Sequence, residues 1–191
     1  MSAPLAGKVV ALVGQGRYAD AIDLFEEGLA RFAELGDAEF LAALYRHFSG
    51  TAKTFEGLIH RIEQTGVGLV NKIQAEERDA MKQVEATIAT LLGFAQKNPG
   101  MTRVLIGDAL VNEDERLQAR VNQLLDRLEA SLRQSARLAV TAGALPADWD
   151  VNAYANAVIA FVMGRWHQFA KSGFKRTPMD GWPQQWRVFA A

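Results

Sequence analysis

Three histidines, His47, His60 and His167, are the residues of this chain best suited to proton transfer or metal ligation. None has a serine or a paired carboxylate at a spacing that reads as a nucleophile or an acid–base pair. The chain contains no cysteine, which removes thiol nucleophiles, zinc ribbons and disulfides together. His60 and Glu63 can share one helix face, but two ligands do not hold a metal. The expectation is a non-enzyme with no metal and no cofactor. What the residue types do favour is charge recognition. In Ala42-Ala43-Leu44-Tyr45-Arg46-His47-Phe48 the aromatic and basic groups stand at a helix end, where a phosphate can be met. The small alanines would let that helix approach a groove. Leu44 and Phe48, four apart, would serve equally as core contacts, with Tyr45, Arg46 and His47 forming a wet face.

Other motifs carry less. Gly14-Gln15-Gly16-Arg17-Tyr18-Ala19 follows Val9-Val10-Ala11-Leu12-Val13 and has the outline of a phosphate loop. A dinucleotide fold needs strands alternating with helices, and there are none here, so the glycines read as a turn between helices. Gly16 to Phe25, with Leu29, resembles the second helix of a tetratricopeptide repeat. No second copy follows about 34 residues on, and such repeats need neighbours to bury their faces. Near the C-terminus Phe174, Trp182, Trp186 and Phe189 lie among Lys175, Arg176, Asp180 and Arg187. That mixture could stack on single-stranded nucleic acid, but such a tail more often folds back and buries its tryptophans.

These residues must be positioned by helices. Apolar residues recur at three- and four-residue steps, and Gly, Pro and Asp fall between the blocks, so the class is all-α. The pattern predicts helices over 5–13, 17–35, 38–48, 52–75, 77–97, 101–110, 114–141 and 149–172, with breaks at Asn98-Pro99-Gly100 and at Gly143 to Pro146. Over 114–141, Leu117, Val121, Leu124, Leu128, Leu132 and Leu138 make one stripe. In 149–172, Val158, Ile159, Phe161, Val162, Trp166 and Phe169 surround a helix kept thin by Ala153, Ala155, Ala157, Ala160 and Gly164. Such a helix wants partners on two sides, so Val158, Val162 and Trp166 are the expected dimer contacts, or else it lies at the centre of a monomeric bundle. A chain of 191 residues that is 49% hydrophobic can build one sizeable core, or a small head on a larger body. Its net charge of −1 excludes coating nucleic acid or anionic membrane by bulk charge, and any DNA binding must come from a local patch. No run approaches about 18 apolar residues, and residues 1–15 lack the pattern of a signal peptide. The expected compartment is the bacterial cytoplasm, with no membrane segment.

From Ala42 to about Arg187 the chain resembles, block after block, the SlmA family of nucleoid-occlusion factors, which are TetR-type DNA-binding regulators of cell division. The blocks are Ala42 to Phe48, Phe55-Glu56-Gly57-Leu58-Ile59, Leu91-Leu92-Gly93-Phe94, and Lys97-Asn98-Pro99-Gly100-Met101-Thr102-Arg103-Val104-Leu105. They continue through Glu115 to Leu124, Asp126 to Ala130, Gly164-Arg165-Trp166-His167-Gln168-Phe169, and Ser172-Gly173-Phe174-Lys175. The resemblance implies a homodimer with a helix-turn-helix head at 1–50 on a dimerisation and partner-binding body at 51–191. It implies a nucleoid-associated protein bound to double-stranded DNA through Phe40, Ala42, Tyr45, Arg46, His47 and Lys53. It further implies that Arg61, Gly93, Lys97 and Asn98 meet the C-terminal tail of the tubulin-like division GTPase FtsZ, stopping ring assembly over unsegregated DNA.

The head departs from the family pattern. Residues 1–48 hold four basic groups, Lys8, Arg17, Arg31 and Arg46, against seven acidic ones, a local charge of −3. Lys and Arg supply most of non-specific DNA affinity, so a head of this charge should bind DNA weakly. The position where the family usually carries a phosphate-contacting lysine is Thr51, leaving Lys53 as the nearest substitute. Two functions stay open: a DNA-bound division regulator, or a dimeric helical protein-interaction module that has lost DNA reading.

Overall fold

The computed structural model describes residues 51–107 and 115–190, together with Lys8, Ala11, Leu12, Gln15, Arg17, Asp20 and Leu24. Among these residues there are six α-helices and no strand: α1 (Thr51–Glu76), α2 (Ala80–Lys97), α3 (Pro99–Leu105), α4 (Glu115–Thr141), α5 (Val151–Lys171) and α6 (Trp182–Phe189). The glycine pair at 14 and 16 is not among them. The described residues beside it close a turn all the same, with the Gln15 N–H bonded to the Ala11 and Leu12 carbonyls and the Arg17 N–H to Leu12.

Local chemistry sets the helix ends. α2 begins at Ala80, three residues later than the apolar spacing suggests. The Asp79 carboxylate accepts from the N–H groups of Met81 and Lys82 at 2.9 and 3.1 Å, so the cap decides the start. The break at Asn98-Pro99-Gly100 is narrower than expected. Pro99 opens α3, where its missing N–H costs nothing, and α3 is a separate short helix rather than the front of one reaching 110. It closes at Ile106 and at Gly107, whose φ of 77° suits the left-handed exit from a helix. Asp150 caps α5 by accepting from Asn152 and Ala153.

By their contacts the residues group into two compact units, 1–62 with 98–121 and 63–97 with 122–191. The helices α1 and α4 each contribute residues to both units. In the first unit the described core is Ile59, Ile62, Met101, Val104, Leu105, Ile106, Leu117 and Val121. In the second, α2 packs on α5. Trp166 of α5 is 1% exposed, and its indole N–H donates to the Leu91 carbonyl of α2 at 3.2 Å. That bond satisfies the one polar atom of a large buried ring.

The stripe on α4 runs as expected through Leu117, Val121, Leu124, Leu128 and Leu132, then passes to Ser135, Ala136 and Ala139. Leu138 is off it and 43% exposed. The small residues on the buried side admit a polar network. The Ser135 hydroxyl donates to Gln83 Oε1 at 2.9 Å, and Gln74 Nε2 donates to the Ser131 carbonyl and to Ser135 Oγ. Gln83 Nε2 in turn donates to the Glu77 carbonyl. The buried Gln83 amide and the half-buried Gln74 amide each find partners within the fold.

The C-terminal segment folds back. The Arg165 guanidinium donates to the carbonyls of Thr177, Pro178 and Asp180 at 2.8–3.1 Å. The Tyr154 hydroxyl donates to the Phe189 carbonyl at 2.9 Å. Phe161 stacks against Trp182 and Phe189, and Trp182 is buried while Trp186 is half-buried. The segment is helical from Trp182, with Pro183 in the first turn; Trp182 and Phe189 pack on Phe161 of α5, and Trp186 packs on Trp182.

Candidate partner and DNA interfaces

The expected partner face is built on α2. Gly93 and Lys97 are four apart and therefore on one side of the helix. Gly93 is partly exposed, and a Cβ added there would meet nothing within 4 Å. Packing within the chain therefore does not require a glycine. Ala86, Ala89 and Thr90 are also partly exposed, so this side of α2 is low and lets another backbone come close. Lys97 stands exposed at the end of the helix, and no hydrogen bond or ion pair engages its ammonium among the described residues. Asn98 is the N-cap of α3, and its carbonyl accepts from both the N–H and the hydroxyl of Thr102 at 3.0 Å. This fixes the backbone of the turn while leaving the Asn98 side chain half-exposed. Arg61 is exposed on α1. It and Asn98 belong to the first compact unit, Gly93 and Lys97 to the second.

Of the residues expected to meet DNA, Phe40, Ala42, Tyr45, Arg46 and His47 lie outside the described residues. Lys53 falls in the first turn of α1, and its side chain is likewise outside them. The described part of the head contributes one ion pair, Arg17 to Asp20 at 2.7 Å, both exposed.

The three residues expected at a dimer interface sit elsewhere than on a free face. Val158, Val162 and Trp166 are 0%, 0% and 1% exposed within a single chain, because the large side chains of α5 turn toward α2. They have no surface left for a second copy. The exposed side of α5 carries the small residues Ala153, Ala157, Ala160 and Gly164, and an added Cβ at Gly164 meets nothing within 4 Å. The sequence separates the two sides by size: large at 158, 162 and 166, small at 153, 157, 160 and 164. Among the described residues no group of three or more His, Asp or Glu could hold a metal ion. No described helix is long and apolar enough to cross a membrane.

Comparison with known proteins bears on the whole arrangement. Residues 78–191 match the SlmA-like family described as the tetracyclin repressor-like C-terminal domain. Nucleoid occlusion factor SlmA of Marinomonas sp. is 44% identical over 149 residues, 78% of this chain and 76% of that protein. The chain belongs to the SlmA family. Its relatives named nucleoid occlusion factor SlmA in Alteromonas mediterranea and Shewanella baltica are 43% and 41% identical over 148 and 155 residues. These matches cover 78% and 81% of this chain and 76% and 78% of those SlmA proteins. The body around α2 and α5 is therefore a TetR-like, all-α C-terminal domain of the SlmA kind.

Proposed function

We propose that this chain is a DNA-binding nucleoid-occlusion regulator. It works as a nucleoid-associated homodimer in the cytoplasm and stops FtsZ assembling over the chromosome. The observation that carries this reading is the extent of the SlmA match, 41–44% identity across roughly four fifths of the chain. In this reading the head at 1–50 meets double-stranded DNA through Phe40, Ala42, Tyr45, Arg46, His47 and Lys53. The two copies pair over the small face of α5 at Ala153, Ala157, Ala160 and Gly164. The FtsZ tail meets Gly93 and Lys97 on the second unit, and Arg61 and Asn98 are its expected contacts on the first. The low side of α2 and the unengaged ammonium of Lys97 support this docking, since FtsZ would have to bring its own backbone close to a helix and offer an acceptor to the cation.

Lys97→Glu tests the partner face. It should weaken binding of a labelled FtsZ tail peptide at least about tenfold, by replacing an attractive charge with a repulsive one. Helical circular dichroism and the dimer should be unchanged, and an unaltered peptide affinity would remove Lys97 from the site. The second reading, a dimeric interaction module without DNA reading, rests on the charge of −3 over residues 1–48. It is distinguished by whether the chain retains DNA at low salt.

A further inference from the structure

At the C-terminal end of α5 a cleft of about 420 Å³ is lined by His167, Gln168, Lys171, Ser172 and Arg176. It lies entirely within the second compact unit, away from Gly93 and Lys97 in the sequence, and begins one turn beyond Gly164 on the exposed side of α5. Its lining includes two permanent cations and an imidazole, and no carboxylate. No ion pair or hydrogen bond engages the side chains of Lys171, Arg176 or His167 among the described residues. Cations often gather at a helix end to meet its free carbonyls. Here the carbonyls of Gln168, Phe169 and Ala170 already accept from the N–H groups of Ser172, Phe174 and Gly173. The positive charge is therefore not consumed by the helix end.

The turn that carries Arg176 is held in shape independently of any ligand. The Ser172 hydroxyl donates to the Phe169 carbonyl and accepts from the N–H groups of Lys175 and Arg176 at 3.2 and 2.9 Å. Phe174 is left-handed at φ 62°, a conformation that costs a non-glycine residue free energy, and its ring packs edge-on against Phe169 at 5.1 Å. Gln168 Oε1 accepts from Arg165 at 3.4 Å, which leaves its amide nitrogen outside that bond. Arg176 on this turn and Gln168 and Lys171 in the last turn of α5 thus belong to the lining of one cavity. A guanidinium fork matches two phosphate oxygens at once, and two fixed positive charges balance a phosphate dianion. The volume exceeds that of inorganic phosphate and falls within the range of small-molecule sites.

We propose that this cleft binds a small phosphate-bearing anion, free phosphate or a phosphomonoester, with Arg176 and Lys171 as its principal contacts and Gln168 and His167 beside them. The test uses the full chain in isothermal titration at constant ionic strength, first with inorganic phosphate and then with adenosine monophosphate. Saturable binding is expected, tighter for the monophosphate if the cleft takes an organic body and equal for the two if phosphate alone is read. Lys171→Gln and Arg176→Gln should each weaken it about tenfold, and the double variant should abolish it with circular dichroism unchanged. Lys175→Gln, exposed but outside the lining, should leave it within about twofold. Absence of saturable binding, its survival in the double variant, or an equal loss with Lys175→Gln would overturn the proposal. So would displacement of phosphate by a short DNA duplex whose own binding falls with Arg176→Gln, because the cleft would then belong to a DNA interface.

Discussion

Replacing Gly93 with alanine should make the protein more stable and its partner binding worse. Gly93 is inside α2, eighteen residues long, and an added Cβ meets no atom within 4 Å, so the substitution introduces no clash. A helix-interior glycine is about 0.5–1 kcal/mol less favourable than alanine, because more backbone freedom is lost on folding. For a chain of this size that gain corresponds to a rise in melting temperature of about 1–4 °C. Circular dichroism at 222 nm during heating reads it directly. The same methyl stands where the FtsZ tail is proposed to approach, and displacing a closely apposed backbone should lower peptide affinity about fivefold or more, read by fluorescence anisotropy. Gly93→Leu should lower it further while the melting temperature stays at or above wild type. A fall in melting temperature for Gly93→Ala would show that the glycine is needed for packing. A rise with unchanged peptide affinity would remove Gly93 from the docking face.

Trp166→Ala removes a ring that is 1% exposed and leaves the Leu91 carbonyl without its donor, so it should cost about 3–5 kcal/mol in urea unfolding; a loss under about 1 kcal/mol would contradict the packing of α2 on α5. Ala157→Glu, on the exposed side of α5, should yield a folded monomer by light scattering, whereas Val158→Asp, buried at 0%, should unfold the chain. A folded, dimeric Val158→Asp would reverse the assignment of the two faces. Burial pushes the Tyr154 hydroxyl from its usual 10 up to about 12. The folded chain then keeps a proton that the unfolded chain gives up, so the contribution to stability is whole below pH 10 and is lost as pH rises toward 12. The loss should be about 1–2 kcal/mol after screening, and Tyr154→Phe should flatten that part of the unfolding profile relative to wild type.

Periodicity in the sequence is enough to place α4 and α5, because a heptad-like stripe from Leu117 to Leu132 and large residues at 158, 162 and 166 recur at helical steps. Period alone does not say which face meets the chain's own core. Val158, Val162 and Trp166 look two-sided in a list of apolar residues, yet all three are buried within the chain, while Ala153, Ala157, Ala160 and Gly164 are exposed. Leu138 misleads for a related reason: past Leu132 the buried side is held by Ser135, Ala136 and Ala139, where polar residues from α1 and α2 complete the contact. Gln74, Gln83 and Ser135 read as surface because their partners are far away in sequence. α6 has a legible start in Trp182-Pro183, and its docking depends on Arg165 bonding to carbonyls twelve to fifteen residues on, which no spacing rule announces. For the partner face, residue identity is visible in the sequence at Gly93 and Lys97, but the open space over Gly93 is a property of the fold alone.

The central claim is that this chain binds DNA as an SlmA-type regulator despite a head with a charge of −3. A gel shift of the full chain against fragmented bacterial chromosomal DNA, run at about 50 mM and about 200 mM salt, tests it most directly. The account predicts retention of a subset of fragments at low salt, weakening steeply at the higher salt as counterions compete for the phosphates. Arg46→Ala should then lower affinity for every fragment about equally. If no fragment is retained at low salt, by the wild type or by a variant given a short Lys/Arg segment before Pro4, the DNA-binding claim is contradicted and the chain is an interaction module.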